Sequence, residues 1–293
     1  MKRSRTVAIK TINADVARRF IADRYSVELS DYSEIDADAA VILSEYWGYL
    51  NLRGLKSLKV EVAEALGGLK GGYLDLNGLT DLSVEVAKAL ARSKGDLVFE
   101  SLTHLSVEAA KALAGHEGKQ LSLDGLTHLS VEVAEALSRH KGKDLYLHGL
   151  TDLSVEAAEA LAEHRGRLLG FGGLESLSVE VVEALARFKA TLNLRGLKSL
   201  KVEVAEVLGG LKGSCLILDG VTDIGVEAAK AIAGFKGAIF LRGLTDLSVE
   251  AAEAFAGSQG NRLILNGLTD ISVEVAEVLA RHEDVALPFQ FSR

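Results

Sequence analysis

The chain has one cysteine (Cys215), one proline (Pro288), one tryptophan (Trp47) and few aromatics of any kind, 5% in all. A lone cysteine excludes an intramolecular disulfide and any cysteine-based metal cluster. A core poor in aromatics has to be assembled from Leu, Val, Ile and Ala, many small pieces repeated many times. No run approaches the roughly 20 apolar residues that span a bilayer. The opening MKRSRTVAIKTINADVARRF is basic but has no uninterrupted apolar stretch, so it does not read as a secretory signal. Basic patches supply most of the affinity of nucleic-acid binders, and a formal charge of −8 argues against that class. Together these absences set the expectations of a cytoplasmic, reduced setting with no nucleic-acid partner and no membrane partner.

What the sequence does have is apolar residues (48%), charged residues (25%) and 29 glycines, the balance of a folded chain rather than a disordered one. It also repeats. Segments 73–96 (YLDLNGLTDLSVEVAKALARSKGD), 121–144 (LSLDGLTHLSVEVAEALSRHKGKD) and 145–168 (LYLHGLTDLSVEAAEALAEHRGRL) are versions of one unit. One marker position recurs every 23 or 24 residues: Leu58, Leu82, Leu105, Leu129, Leu153, Leu177, Leu200, Ile224, Leu247 and Ile271, with Ile35 and Ile12 extending it backwards into two degenerate units.

Each unit changes period part-way. Leu74-Asp75-Leu76-Asn77 alternates as a half-buried strand does. Gly78 follows, and nine of ten regular units carry glycine there, Ser101 being the exception. That position implies positive φ or a close backbone approach. Leu79 and Leu82 point inward through a corner, Ser83 is placed to cap a helix, and Glu85 sits where the helix dipole favours negative charge. Leu82, Val86 and Leu90 form one apolar stripe, and Gly95 or its equivalent is expected to end the helix. A single strand and short helix cannot bury their own apolar faces, but stacked units can. Burying one Leu or Val contributes roughly 1.5–3 kcal/mol. Strands joined through a helix should be parallel and the crossover right-handed.

The motif LxLxGLTxLSxExAxxLA resembles a shortened bacterial leucine-rich repeat, nearest the ribonuclease-inhibitor-like type, over about residues 27–291. It departs from that pattern in lacking a regular LxxL before the strand and in placing Gly78 and its equivalents at the asparagine-ladder position. The resemblance implies an α/β solenoid with a parallel sheet on an inner face and helices on an outer face. It also implies protein–protein interaction in general, without a particular ligand.

The expected organisation is an N-terminal cap with degenerate repeats (1–48), ten regular repeats (49–284) and a C-terminal capping strand (285–293). In that strand Leu287 and Phe289 are expected at the two inward positions, with Pro288 between them discouraging further pairing. A chain closed in this way need not polymerise, and a monomer is expected. Residues 51–71 and 193–213 differ only at Ala65 versus Val207, the mark of a duplication. It lowers the chance that either copy holds a unique catalytic group.

Candidate chemistry is sparse. The recurring glutamates (Glu61, Glu85, Glu108, Glu132, Glu156, Glu180, Glu203, Glu227, Glu250, Glu274) read as helix N-terminal charge rather than as a cation ribbon. His116, His140, His164 and His282 share one place at helix ends. Zinc wants ligands within about 2.3 Å of one point, which stacked helix ends do not offer, and a helix C-terminus already explains a polar or cationic residue. Ser, His and Asp occur mostly as repeated columns, so nothing singles out a triad, and no helix opens after Gly170, Gly172 and Gly173 as a phosphate loop requires. No cofactor, metal site or catalytic residue is expected.

The informative positions vary while the scaffold repeats. Residues flanking the inward leucines should face an open surface, and the candidate binding set is Tyr49, Arg53, Tyr73, Asp75, Asp124, Tyr146, His148, Arg195, Ile217, Phe240, Arg242 and Ile264. Tyr and Arg are common hot spots, and Ile217, Phe240 and Ile264 read as an exposed apolar run. The expectation is a non-catalytic scaffold that holds a protein or peptide on this face. The alternative is a structural or consensus-like engineered repeat array without a specific ligand. An enzyme would need a unique pocket, for which Tyr146 and His148 beside Gly170 and Gly172 offer the only distinctive chemistry.

Overall fold

A computed structural model describes residues 10–258 and 262–288. It divides into two compact units, Met1–Leu126 with His140–Lys143, and Thr127–Arg139 with Asp144–Arg293.

The first unit opens with two degenerate repeats. Helices Ala14–Ala22 and Ala37–Ser44 each follow a two-residue strand, and these strands, Thr11–Ile12 and Glu34–Ile35, pair in parallel. Asn13 caps the first helix by accepting the Val16 N–H at 3.0 Å. Ile12 and Ile35 thus precede a helix as the later marker leucines do. Strands Tyr49–Asn51, Tyr73–Asp75, Asp96–Val98 and Gln120–Ser122 then pair in parallel and in chain order. Helices Val60–Leu66, Val84–Leu90 and Val107–Leu113 connect them. The register stacks Leu50, Leu74, Leu97 and Leu121 in one column, and Leu52, Leu76, Phe99 and Leu123 in the next; all eight are 0% exposed.

The second unit repeats the plan. Strands Asp144–Tyr146, Leu168–Gly170, Thr191–Asn193, Cys215–Ile217, Ala238–Phe240, Leu263–Ile264 and Val285–Ala286 pair in parallel in chain order. Its helices run from Val131–Leu137 to Val273–Leu279. Leu145, Leu169, Leu192, Leu216, Ile239 and Leu263 stack in register at the strand centres, all buried. Both units are leucine-rich-repeat-like solenoid stacks of alternating strand and helix, the α/β architecture expected from the motif.

The capping logic holds where serine is present. Ser83, Ser106, Ser130, Ser154, Ser178, Ser248 and Ser272 each accept a backbone N–H three residues on. Lys59, Lys201 and Gly225 stand at the same position and make no side-chain cap. The recurring glutamates lie exposed in the first turn. Hydrogen bonds from their own backbone N–H, and then from the capping serines Ser130 and Ser178, hold Glu132 and Glu180 below the usual carboxylate range.

Three local expectations need correction or resolution. The glycine after the strand is there for close approach: a Cβ on Gly78 would meet the carbonyl oxygens of Arg53 and Leu55, whereas positive φ among the described residues belongs to Gly72 alone, at 82°. Gly95 does not end a helix. The helix stops at Leu90 with Ala91 as its right-handed C-cap, and Gly95 sits at the entry to the next strand, where a Cβ would be 2.9 Å from Gly71 O. At the C-terminal end the register is shifted from the expected one. Leu263 pairs with Val285, so Val285 and Leu287 take the inward positions, and Phe289 lies outside the described residues.

Candidate recognition surface

In the first unit, alternation along parallel strands brings Tyr49, Arg53, Tyr73, Asp75, Asn77 and Glu100 around one open depression of about 480 Å³. Asp75 is its floor. At 2% exposure it is buried, not open as the alternation alone suggests. Its Oδ1 accepts the Asn77 N–H at 3.0 Å, and its Oδ2 accepts the Tyr49 hydroxyl and lies 3.5 Å from the Arg53 guanidinium. Arg53 also donates to Asn51 Oδ1 at 2.9 Å and to Tyr49 Oη at 3.3 Å. The Tyr49 and Tyr73 rings lie 5.3 Å apart, tilted by 51°. Burial, with the Asp75 charge next, pushes the Tyr73 phenol up to about 12. Burial and the hydrogen bond to Asp75 push the Tyr49 phenol up as well. Both phenols are neutral donors at physiological pH.

The rim is acidic. Asp96 accepts the Gln120 N–H at 2.9 Å, and Asp124 accepts the Ser122 hydroxyl at 2.7 Å. Glu100 is exposed, and among the described residues neither it nor Asp96 forms an ion pair. A second depression of about 230 Å³ shares Tyr49 and is lined by Phe20, Arg24, Tyr25, Glu28 and Tyr46. Trp47 nearby is 66% exposed and its ring lies against Gly71, where a Cβ would come within 3.0 Å of it.

The second unit assembles different chemistry from the same positions. Tyr146 and His148 pack 5.1 Å apart over the space left by Gly170 and Gly172. His148 Nδ1 accepts the Gly172 N–H at 2.7 Å, and a Cβ on Gly172 would lie 2.7 Å from both His148 Nδ1 and Arg195 Nε. Side chains thus fill the gap that a phosphate loop would keep open. Arg167 grips Asp144 through two hydrogen bonds of 3.1 and 2.7 Å. Arg242 pairs with Asp219 at 3.0 Å and lies over the Phe240 ring at 4.6 Å. Burial pushes the Cys215 thiol up to about 11, which makes it a poor nucleophile.

The expected apolar run is broken. Ile217 and Phe240 are half-buried and Ile264 is 6% exposed, so the three do not form an open patch. The helix-end histidines also differ from expectation. His116, His140, His164 and His282 are all buried. His116 and His140 lie closer than stacked helix ends were expected to bring them, with Nδ1 of one 3.4 Å from Nε2 of the other and rings stacked at 5.6 Å. His164 stacks on Phe188 at 6.3 Å. Burial holds His116, His164 and His282 below the ordinary imidazole value, so they are neutral core groups rather than cations serving a helix dipole. Among the described residues no group of three or more His, Cys, Asp or Glu is placed to hold a metal ion. No described helix is long and apolar enough to cross a membrane.

Of the expected binding set, the structure gathers Tyr49, Arg53, Tyr73 and Asp75 at one place, Tyr146, His148 and Arg195 at another, and Ile217, Phe240 and Arg242 along adjoining strands. The set omits Asn77 and Glu100, which line the first depression, and Tyr25, Tyr46 and Trp47 beside it. One signal was available in the sequence: every tyrosine but Tyr146 falls between residues 25 and 73, as does the only tryptophan.

No protein-family model matches the sequence, and no curated protein does. Solved structures do match in shape. An internalin (inlF) of Listeria monocytogenes aligns at TM-score 0.50 and 16% identity, covering 88% of this chain and 74% of that one. A TLR13–ssRNA13 complex aligns at TM-score 0.53 and 16% identity, covering 88% of this chain. The glycosylated Toll–Spatzle complex of Drosophila aligns at 0.53 and 13%, covering 95%. The chain spans only 39% and 41% of those last two. These likenesses establish the leucine-rich-repeat-like fold.

Proposed function

We propose that this protein is a non-catalytic recognition module that binds a protein or peptide through its strand face. The observation that carries this reading is the contrast between buried leucine columns at 0% exposure and the varied Tyr, Arg, Asp and Glu side chains on the same strands. Uniform columns supply stability, and the varied positions supply contact chemistry in which Tyr and Arg are favoured. The Toll–Spatzle and TLR13–ssRNA13 structures show that this fold carries protein and nucleic-acid ligands alike, and fold alone does not choose between them. The carboxylates around the first depression favour a protein or peptide here, since phosphate backbones are repelled by such a surface. A cytoplasmic setting is part of the same reading, supported by a single cysteine that offers no intramolecular disulfide, and the reading is of a monomer.

The test is selection from a peptide display library with the full chain and two folded variants. One variant carries alanine at Tyr49, Arg53, Tyr73 and Glu100, the other at Tyr146, His148, Arg195, Phe240 and Arg242, with circular dichroism confirming both folds. Ligands lost in either variant support the reading. Ligands retained equally by both would move recognition to the helices and overturn it.

A further inference from the structure

We infer that the depression at Tyr49, Tyr73, Asp75 and Glu100 takes a basic side chain, Lys or Arg, from a partner peptide. This rests on the strand-face recognition proposed above and names its ligand chemistry. Three independent features of the site point to a cation. The first is aromatic: the Tyr49 and Tyr73 rings stand 5.3 Å apart, the kind of surface on which a guanidinium or ammonium rests. The second is a surplus of carboxylate. The depression is lined by two carboxylates, Asp75 and Glu100, against one cation, Arg53. Arg53 lies 3.5 Å from Asp75 and also feels the Glu100 charge, and Asp96 on the next strand forms no ion pair among the described residues. These charges lie along neighbouring strands, and paired strands are about 4.8 Å apart, well inside a Debye length of about 10 Å at 0.1 M salt.

The third feature is the resident example. Arg53 already shows how a guanidinium is held here, with one amino group facing both Asp75 and the Tyr49 hydroxyl and its Nε on Asn51. An incoming basic group adds to the Tyr73 and Glu100 side, because Arg53 is one cation shared between two carboxylates. The neutral phenols cannot repel an anion by charge, but Glu100 and Asp96 do, so an acidic peptide or a nucleic acid is disfavoured at this place.

The experiment measures anisotropy of a labelled peptide of alternating Arg and Ser, beside an alternating Glu and Ser peptide, against the full chain. Glu100→Lys reverses an exposed rim charge and leaves the core untouched. Glu61→Lys makes the same change in net charge on a helix, away from the strands. The Arg peptide should bind more tightly than the Glu peptide, weaken about tenfold with Glu100→Lys, and keep its affinity with Glu61→Lys. Tyr73→Leu should also weaken it. Equal loss in Glu100→Lys and Glu61→Lys would mean that only net charge is sensed, and would overturn the proposal. So would no loss with Glu100→Lys, or preference for the Glu peptide. The two levels of the argument then separate. If library selection yields strand-face ligands without basic residues, recognition stands and the basic-ligand assignment falls. If selection yields none that depend on the strand face, both fall.

Discussion

The two units are built on the same buried leucine columns and differ in what their strands present. The first offers tyrosines and carboxylates around one cation, Arg53. The second offers carboxylates already gripped by arginine, Asp144 by Arg167 and Asp219 by Arg242, with Arg195 lying across Gly172. The clearest case is the duplicated repeat. Arg53 and Arg195 occupy the same place in nearly identical 21-residue copies, residues 51–71 and 193–213. Arg53 falls beside Asp75 and Tyr49, whereas Arg195 lies across Gly172. A repeat fixes where a side chain starts, and the neighbouring repeat determines what it meets.

That contrast can be broken by mutation. The largest effect is expected at Asp75: replacement by Ala strands the Tyr49 hydroxyl, the Asn77 N–H and part of Arg53, at about 2–3 kcal/mol in urea unfolding. Asn193→Ala, at the matching strand position of the second unit, removes one acceptor for the Arg195 N–H and should cost about 1 kcal/mol. Equal losses would show that Asp75 is not a local keystone.

Next in size are the glycines. Gly78→Ala and Gly173→Ala drive a Cβ onto backbone carbonyls and should each cost about 1–3 kcal/mol. Gly172→Ala first meets the Arg195 and His148 side chains rather than backbone, and should cost about 1 kcal/mol by the same measurement, chiefly the hydrogen bond that His148 accepts from the Gly172 N–H.

Capping comes third. Ser154→Ala should destabilise by about 1 kcal/mol, and Lys201→Ser, which supplies a missing cap, should raise Tm.

A smaller difference is expected on acidification. His116 and His164 are buried and held below their ordinary value of 6.5. The unfolded chain therefore binds protons that the folded chain refuses, and stability present above pH 6.5 falls as pH drops below it. Phe188 and Phe235 stand at the equivalent place in later repeats and are buried there, so His116→Phe fits the unit. That substitution should flatten the change in urea midpoint between about pH 7 and 5. An unaltered slope would assign that acid sensitivity to other groups.

Much of this was legible from periodicity. The alternation at Leu74 and Leu76, the serine caps and the first-turn glutamates all follow from one unit's local physics, and each was found where expected. The strand-face cluster was only partly legible. Asp75 reads as an open-surface residue by alternation, but Tyr49 and Arg53 from the preceding repeat and Tyr73 beside it enclose it. Ile264 reads as exposed and is buried. The histidines read as polar or cationic groups serving helix ends, yet their rings are buried, with His116 stacked on His140 and His164 on Phe188. Gly95 reads as a helix stop, although its hydrogen is needed one loop later, against Gly71 O.

The sequence by itself determined the unit, its period and its buried columns, because these depend on residues within one repeat and on the need to cover an apolar face. Only the tertiary structure decided which side chains share a site. Residues 23 or 24 apart become neighbours when strands pair, and charge compensation, ring contact and burial are set by that pairing rather than by any residue's own repeat.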